Sequence, residues 1–300
     1  MEKKYIIQGK IGRGTYAVVY KCKRKSDGKR MAVKKMAIGD DGIPWYVIRE
    51  SSVLKSLDHP NITKLNDIFI DDKFIFLVFD LYEMNLLQCI GEKNVELKSI
   101  KYHMFQLLTA VSYIHDNNII HRDLKPDNLM IDENGDLVVI DFGMAYQLRN
   151  LDMSDELWAF CCSYKAPEVL LGSKKYSFGA DIWMIGCTFY ELLTDEVLFY
   201  SGSDREALSN IFDILGTPTE ENWKGVSKLR YYNKNKFPDQ NKNTLEYHLE
   251  NNLSFEIDDT NEYNDIITLL QNLLVLNPND RITAKEALKS EYFQDVKYDQ

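Results

Sequence analysis

Short apolar runs separated by turn signals fill the first eighty residues. Residues 5–11, 18–23 and 31–35 read as strands, the last two joined across Ser26-Asp27-Gly28. Residues 68–70 and 74–79 read as another pair, linked by Asp71-Asp72-Lys73. The pattern predicts a small antiparallel sheet. One helix interrupts it, entered at Pro44, whose fixed φ and missing N–H suit a first helical turn. Along that helix Val47, Leu54 and Leu57 share one stripe, and Glu50 falls on the same stripe. An acid at a core-facing position needs a partner, because a buried unpaired charge is costly.

Beyond residue 79 the pattern turns helical. Ile100, Met104, Leu107, Leu108, Val111 and Ile114 line one helix face before the Asp116-Asn117-Asn118 break. Residues 182–193 are apolar around so much of the helix that burial on most sides is expected. Residues 231–260 are polar, dotted with aromatics and weakly periodic, and read as surface loops; 266–276 and 284–288 return to helix. The reading is an α+β chain in two parts: a sheet-rich lobe over 1–80 with one key helix, a hinge at 81–85 and a larger, mostly helical lobe over 86–300.

Composition narrows the function classes. A net charge of -10 leaves no general reason to expect direct nucleic-acid binding, which needs a broad basic face. The segment MEKKYIIQGK is too polar for a signal peptide, and no run of about 18 apolar residues offers a membrane span. A soluble intracellular protein, cytoplasmic or nuclear, is expected. Cys22, Cys89, Cys161, Cys162 and Cys187 make neither a disulfide framework nor a CxxC metal site, so ordinary thiols are expected ahead of a redox role.

The chemistry is concentrated in a few segments. Gly12-Arg13-Gly14-Thr15-Tyr16-Ala17-Val18-Val19 lies between two predicted strands; glycines let backbone approach phosphates, and Val19 offers an apolar cover for a flat base. The strand-to-helix context and GK[ST] ending of the common nucleotide motifs are absent. Lys34, in Ala32-Val33-Lys34, is suited to hold phosphates if Glu50 fixes its ammonium, while Lys35 should point to the opposite face. Asp123, Lys125 and Asn128 crowd one segment, and Asp141 follows. Carboxylate and amide oxygens suit hard Mg2+, and cations stabilise phosphoryl oxygens.

His121-Arg122-Asp123-Leu124-Lys125-Pro126-Asp127-Asn128, Asp141-Phe142-Gly143 and Ala166-Pro167-Glu168 together resemble the eukaryotic protein-kinase signature, in order, within residues 5–293. The resemblance implies a bilobal kinase fold and transfer of the ATP γ-phosphate to a protein hydroxyl. It implies that Asp123 accepts the substrate proton, that Lys125 steadies the transferred phosphoryl group, and that Asn128 and Asp141 hold magnesium. Phe79 would stand behind the adenine pocket, with Asp80 and Tyr82 giving backbone hydrogen bonds and Ile11, Val19, Ala32 and Met130 the apolar sandwich. His121 is implied as a packing residue. Glu168 with Arg281, and Asp181 under the catalytic loop, are implied as structural supports.

Residues 42–50, Gly-Ile-Pro-Trp-Tyr-Val-Ile-Arg-Glu, resemble the partner-binding helix of cyclin-dependent kinases, with Trp45-Tyr46-Val47 in place of Ser-Thr-Ala. The match extends to Leu57-Asp58-His59-Pro60-Asn61-Ile62, while Leu215-Gly216-Thr217-Pro218 resembles the extra segment of the wider group that contains cyclin-dependent and MAP kinases. A serine/threonine kinase of that kind is implied, proline-directed by family habit, with a cyclin or cyclin-like partner on the helix from Pro44 to Leu57. Glu156 falls where the family carries an activating phosphothreonine; Arg49 and Arg122 match two of three phosphate-binding arginines, and Tyr146 replaces the third. Glu156 is therefore expected to replace the phosphate in part, a solvated acid being the plainer reading. Thr15 and Tyr16 match inhibitory phosphorylation positions. Lys165 stands where arginine shapes the pocket for substrate proline, and Cys161 where a threonine contacts the catalytic loop. A MAP-kinase-related or other related kinase, and a pseudokinase or regulatory scaffold, are the alternatives.

Overall fold

The computed structural model describes the chain apart from residues 15–16, 94–95, 149–161, 174–176, 234–236, 238–241 and 298–300, and apart from the side chains of 90–93. Strands β1 (Tyr5–Arg13), β2 (Val18–Arg24), β3 (Arg30–Ala37), β4 (Leu65–Ile70) and β5 (Phe74–Asp80) form one antiparallel sheet, ordered β1-β2-β3-β5-β4. Alternation sorts its side chains: Met31 and Val33 join Tyr5, Cys22, Phe76 and Val78 on one face, and Met36 joins Ile75 and Leu77 on the other. Helix α1 (Trp45–Ser56) covers that second face through Val47. Pro44 precedes the helix as its cap, with φ -58° and ψ 138°, so the helix starts one residue later than the sequence suggested. Val53 and Leu54 turn towards the larger lobe and join its core, where Leu57 packs half-buried.

Past Asp80 the chain leaves the sheet. Strand β6 (Met84–Asn85) pairs with β8 (Leu129–Ile131), and β8 with β9 (Leu137–Val139). Strand β7 (Ile119–Ile120) pairs with β10 (Tyr146–Gln147). The rest of the large lobe is helical: α2 (Leu86–Lys93), α3 (Leu97–Asp116), α4 (Pro167–Leu170), α5 (Gly179–Thr194), α6 (Asp204–Leu215), α7 (Leu245–Asn252), α8 (Thr260–Leu273) and α9 (Ala284–Ala287). The whole is a bilobal α+β fold.

Helix α5 is the axis of the large lobe. It is buried at every position from Ala180 to Thr194. At Gly186 a side chain would meet Leu274 Cδ2 at 2.7 Å and Leu273 Cβ at 3.1 Å, so glycine sets how closely the end of α8 approaches. Arg281 and Glu168 form a bidentate pair, Nη1 to Oε1 and Nη2 to Oε2 both 3.0 Å, with the Arg281 Nε donating to the Val275 carbonyl at 2.9 Å. The surface-loop expectation for 231–260 is corrected by α7. Its eight residues carry only two deeply buried apolar side chains, Leu245 and Leu249, four apart, which is too thin a pattern to stand out among polar neighbours.

Candidate active site

In the sheet register Lys34 stands opposite Val19 on β2 and Leu77 on β5. Its Nζ lies 2.9 Å from both Glu50 oxygens and 2.8 Å from Asp141 Oδ1. Lys35 projects to the opposite face, its Nζ 3.6 Å from the Phe74 ring centre. One ammonium thus faces two carboxylates. Burial works against the Lys34 charge, but the two acids outweigh it and raise its pKa. Burial likewise drives Glu50 upward, and Asp141 adds to this against the pull of Lys34. At Asp141 burial is outweighed by Lys34, and the carboxyl lies below its usual range. The two acids part because Asp141 also accepts from the Gly143 N–H, which lowers it, whereas Glu50 carries the repulsion of Asp141, which raises it.

Asp141 adopts φ 59° and ψ 76°, in the left-handed region. That turn sends Phe142 into the core, fully buried and edge-on to His121 at 4.7 Å, while the carboxylate stays with Lys34. The Gly143 N–H donates to Asp141 Oδ1, and a side chain at 143 would crowd that oxygen at 3.2 Å.

In the loop before β8, Asp123 Oδ1 lies 3.1 Å from Lys125 Nζ, and Oδ2 accepts from Asn128 Nδ2 at 2.7 Å. The same Asn128 amide donates to the Asp123 carbonyl at 2.7 Å. Burial raises the Asp123 pKa, with Lys125 and His121 opposing it. The loop backbone is held from below by Asp181 on α5, which accepts from the His121 and Arg122 N–H groups, both at 2.8 Å, and contacts His115 Nε2 at 2.9 Å. Arg122 takes φ 70°, a conformation that this support makes tolerable. His121 is fully buried, its Nε2 3.1 Å from the Ile140 carbonyl, and burial lowers its pKa, which keeps the ring neutral and suits it to packing.

A cavity between the lobes is lined by Ile11, Val19, Ala32, Phe79, Asp80, Tyr82 and Met130, all predicted, along with Lys34, Glu50 and Asp141. Sequence reasoning missed three further wall residues, Thr63, Leu81 and Ile140. Leu81 and Ile140 adjoin predicted residues. Thr63 carries no local signal; a lone parallel bridge of Ile62 with Val139 brings it in. Gly12 and Gly14, also predicted, are not among the lining residues; the Gly14 N–H donates to the Ala17 carbonyl at 2.9 Å, and neither glycine takes a positive φ. A side chain at Gly14 would meet open space, and one at Gly12 only Val19 at 3.7 Å.

The regulatory predictions divide. Arg49 packs on Trp45, its Cζ 4.4 Å from the ring centre, and Arg122 on Tyr146 at 5.3 Å, with its Nε donating to the Met144 carbonyl. Trp45 and Tyr146 are themselves two of the positions where the sequence departs from the family pattern. Thr15, Tyr16, Glu156 and Cys161 lie outside the described residues. The comparison with known families fits this geometry: the model described as "Protein kinase domain" matches residues 5–293.

Proposed function

We propose, from the premise that the chain belongs to the protein-kinase family, that it transfers the γ-phosphate of ATP to serine or threonine hydroxyls of a protein substrate. The observation that carries the reading is the approach of two sets, joined where the Ile140 N–H, one residue before Asp141, donates to the Asn128 carbonyl at 3.0 Å. Lys34, locked by Glu50 and Asp141, faces the nucleotide cavity, and Asp123 stands with Lys125 and Asn128. In this reading ATP supplies the phosphoryl group, and magnesium, when bound, offsets the charge on its phosphates. The donor set suits that ion: a carboxylate at Asp141 and an amide oxygen at Asn128, the few oxygen ligands magnesium takes when phosphates and water complete its shell. Lys34 holds the α- and β-phosphates. Asp123 accepts the hydroxyl proton, and Lys125 steadies the oxygens in flight.

The finer reading is a divergent cyclin-dependent-like kinase, proline-directed by family habit, with regulation at Thr15, Tyr16 and Glu156. Its support on the partner side is the outer face of α1, where Trp45 is 50% and Ile48 56% exposed, large apolar groups suited to anchor a cyclin or cyclin-like protein. The test is magnesium-dependent phosphorylation of a degenerate Ser/Thr peptide library by purified unphosphorylated protein, with and without candidate cyclins. Transfer that Asp123→Ala abolishes is the expected result. Transfer that survives Asp123→Ala, or none under any partner condition, would overturn the enzymatic reading, and a library indifferent to proline would remove the proline-directed one.

A further inference from the structure

Cations gather at one end of the chain. Of 36 Lys and Arg against 46 Asp and Glu, residues 1–30 hold ten against two, so an acidic protein carries a basic ribbon made of β1, β2 and the first residue of β3. Part of that charge is answered within the fold. Lys4 meets Asp67 at 2.9 Å, Lys29 meets Asp80 at 2.8 Å, Arg24 meets Asp27, and Lys21 and Arg30 share Glu83. Lys3, Lys10, Arg13, Lys23 and Lys25 are exposed and meet no acid among the described residues.

The strand register makes this crowding costly. Lys23 stands opposite Ile6 on β1 and opposite Arg30 on β3, so the two cations project from one face directly across from each other. Like charges in that relation destabilise a sheet. Lys23 is also confined: a Cβ added at Gly28, in the turn between β2 and β3, would meet its Cε at 3.1 Å. Lys25 is drawn to the same end of the ribbon, where its N–H donates to the Lys4 carbonyl at 2.8 Å. Arg13, paired with Val18, marks the other end. Between the cations stand two apolar side chains, Ile6 at 50% and Ile7 at 46% exposure. Both belong to β1, the edge strand of the sheet, and alternation sends them to opposite sides of that edge.

We infer that the β1–β2 ribbon is a docking surface for an anionic lipid bilayer, touched at the level of the headgroups and not crossed. A bilayer answers both kinds of group. Acidic headgroups spread in two dimensions meet cations placed along the whole ribbon, and the acyl boundary receives Ile6 and Ile7. A nucleic acid would pair with the cations and leave the isoleucines in water. The acidic remainder of the chain does not prevent the contact, because acids more than about 8 Å from the surface are largely screened at physiological salt. The inference does not depend on the phosphotransfer reading above.

Co-sedimentation of the whole protein with vesicles tests it: phosphatidylcholine alone against phosphatidylcholine with about 30% phosphatidylserine, at about 0.15 M salt. The expected result is binding to the anionic vesicles at least about tenfold above the neutral ones, each basic charge contributing about fivefold in partition. Lys23→Glu/Lys25→Glu, at two exposed positions, should lower that binding at least about twentyfold. Ile6→Ser/Ile7→Ser should lower it at least about threefold with every charge in place. Both variants should keep the wild-type circular-dichroism spectrum; if the isoleucine pair unfolds the lobe, the lysine pair alone decides. Equal binding to the two kinds of vesicle, or binding unchanged in the lysine variant, overturns the inference. So does binding to poly-L-glutamate or a DNA duplex that matches the vesicles charge for charge and ignores the isoleucine variant, which would assign the ribbon to an acidic protein or a nucleic acid.

Discussion

Replacing Asp181 with asparagine tests whether the catalytic loop depends on one buried carboxylate. Asp181 accepts three hydrogen bonds, from the N–H groups of His121 and Arg122 at 2.8 Å and from His115 at 2.9 Å, the first and third on the same oxygen. An amide has one acceptor oxygen. Its best orientation keeps His121 and His115 and turns an NH2 towards the N–H of Arg122, a residue in the left-handed region. The cost is one charge-assisted bond and one buried N–H without an acceptor, together about 2–4 kcal/mol. Domains of this size are typically stable by about 5–15 kcal/mol, so the variant still folds. Urea unfolding should show that loss, and kcat should fall by about a hundredfold, since small displacements of Asp123 are that costly. The pH dependence carries a second signature. Burial opposes the Asp181 charge, but the bonds from His115 and the loop outweigh it and lower its pKa. A lowered acid contributes stability above its unfolded pKa, near 3.9, and loses it as pH falls towards the folded value. Asp181→Asn should therefore flatten the acid limb of the stability curve. A variant within about 0.5 kcal/mol of wild type, with the acid limb unchanged, would refute the argument.

Lys34→Met should leave the fold intact by circular dichroism but lower phosphotransfer at least about a hundredfold, since it removes the one cation between Glu50 and Asp141 in the nucleotide cavity. The acid limb of kcat/KM should lie above the ordinary aspartate value near 3.9, because burial raises Asp123; Lys125→Ala should move the limb higher still, and a downward shift would contradict the assignment. Glu168→Ala should cost about 3–5 kcal/mol in urea unfolding, since it strands the buried Arg281, whereas Glu168→Leu combined with Arg281→Leu should recover a large part. Phe142→Ala should destabilise by about 3–5 kcal/mol, having emptied a fully buried site beside His121.

Much of this arrangement can be read from residue order because the chemistry is local. The five strands are legible because each is short, apolar and bounded by turns, and Glu50 stands out as an acid on an apolar stripe. The segment from His121 to Asn128 packs its polar groups within one loop, so their types alone suggest phosphate and metal work. What stays hidden depends on long-range packing. Nothing around Asp204 predicts that it meets Lys165, thirty-nine positions away. His115 reads as the end of a helix and becomes a support of Asp181 only when α3 and α5 pack together. Helix α7 is hidden by its own polarity, since its stability comes from the groove that receives Leu245 and Leu249. Stacking of Arg49 and Arg122 on Trp45 and Tyr146 is likewise absent from local pattern, although all four residues attract attention singly.

Helix α5 links two separate stretches of chain. Near its start Asp181 accepts from the His121 and Arg122 N–H groups of the loop that carries Asp123, and near its end Glu191 accepts from the Tyr164 hydroxyl. Its amides are enclosed along the whole length, so they should exchange with solvent deuterium only when the large lobe opens as a unit. Heat should then displace the loop of Asp123 and the turn of Tyr164 in one step, at one temperature, and the Lys34–Glu50 pair should loosen with them, since Asp141 binds Lys34 and Val53 and Leu54 of α1 share the large-lobe core.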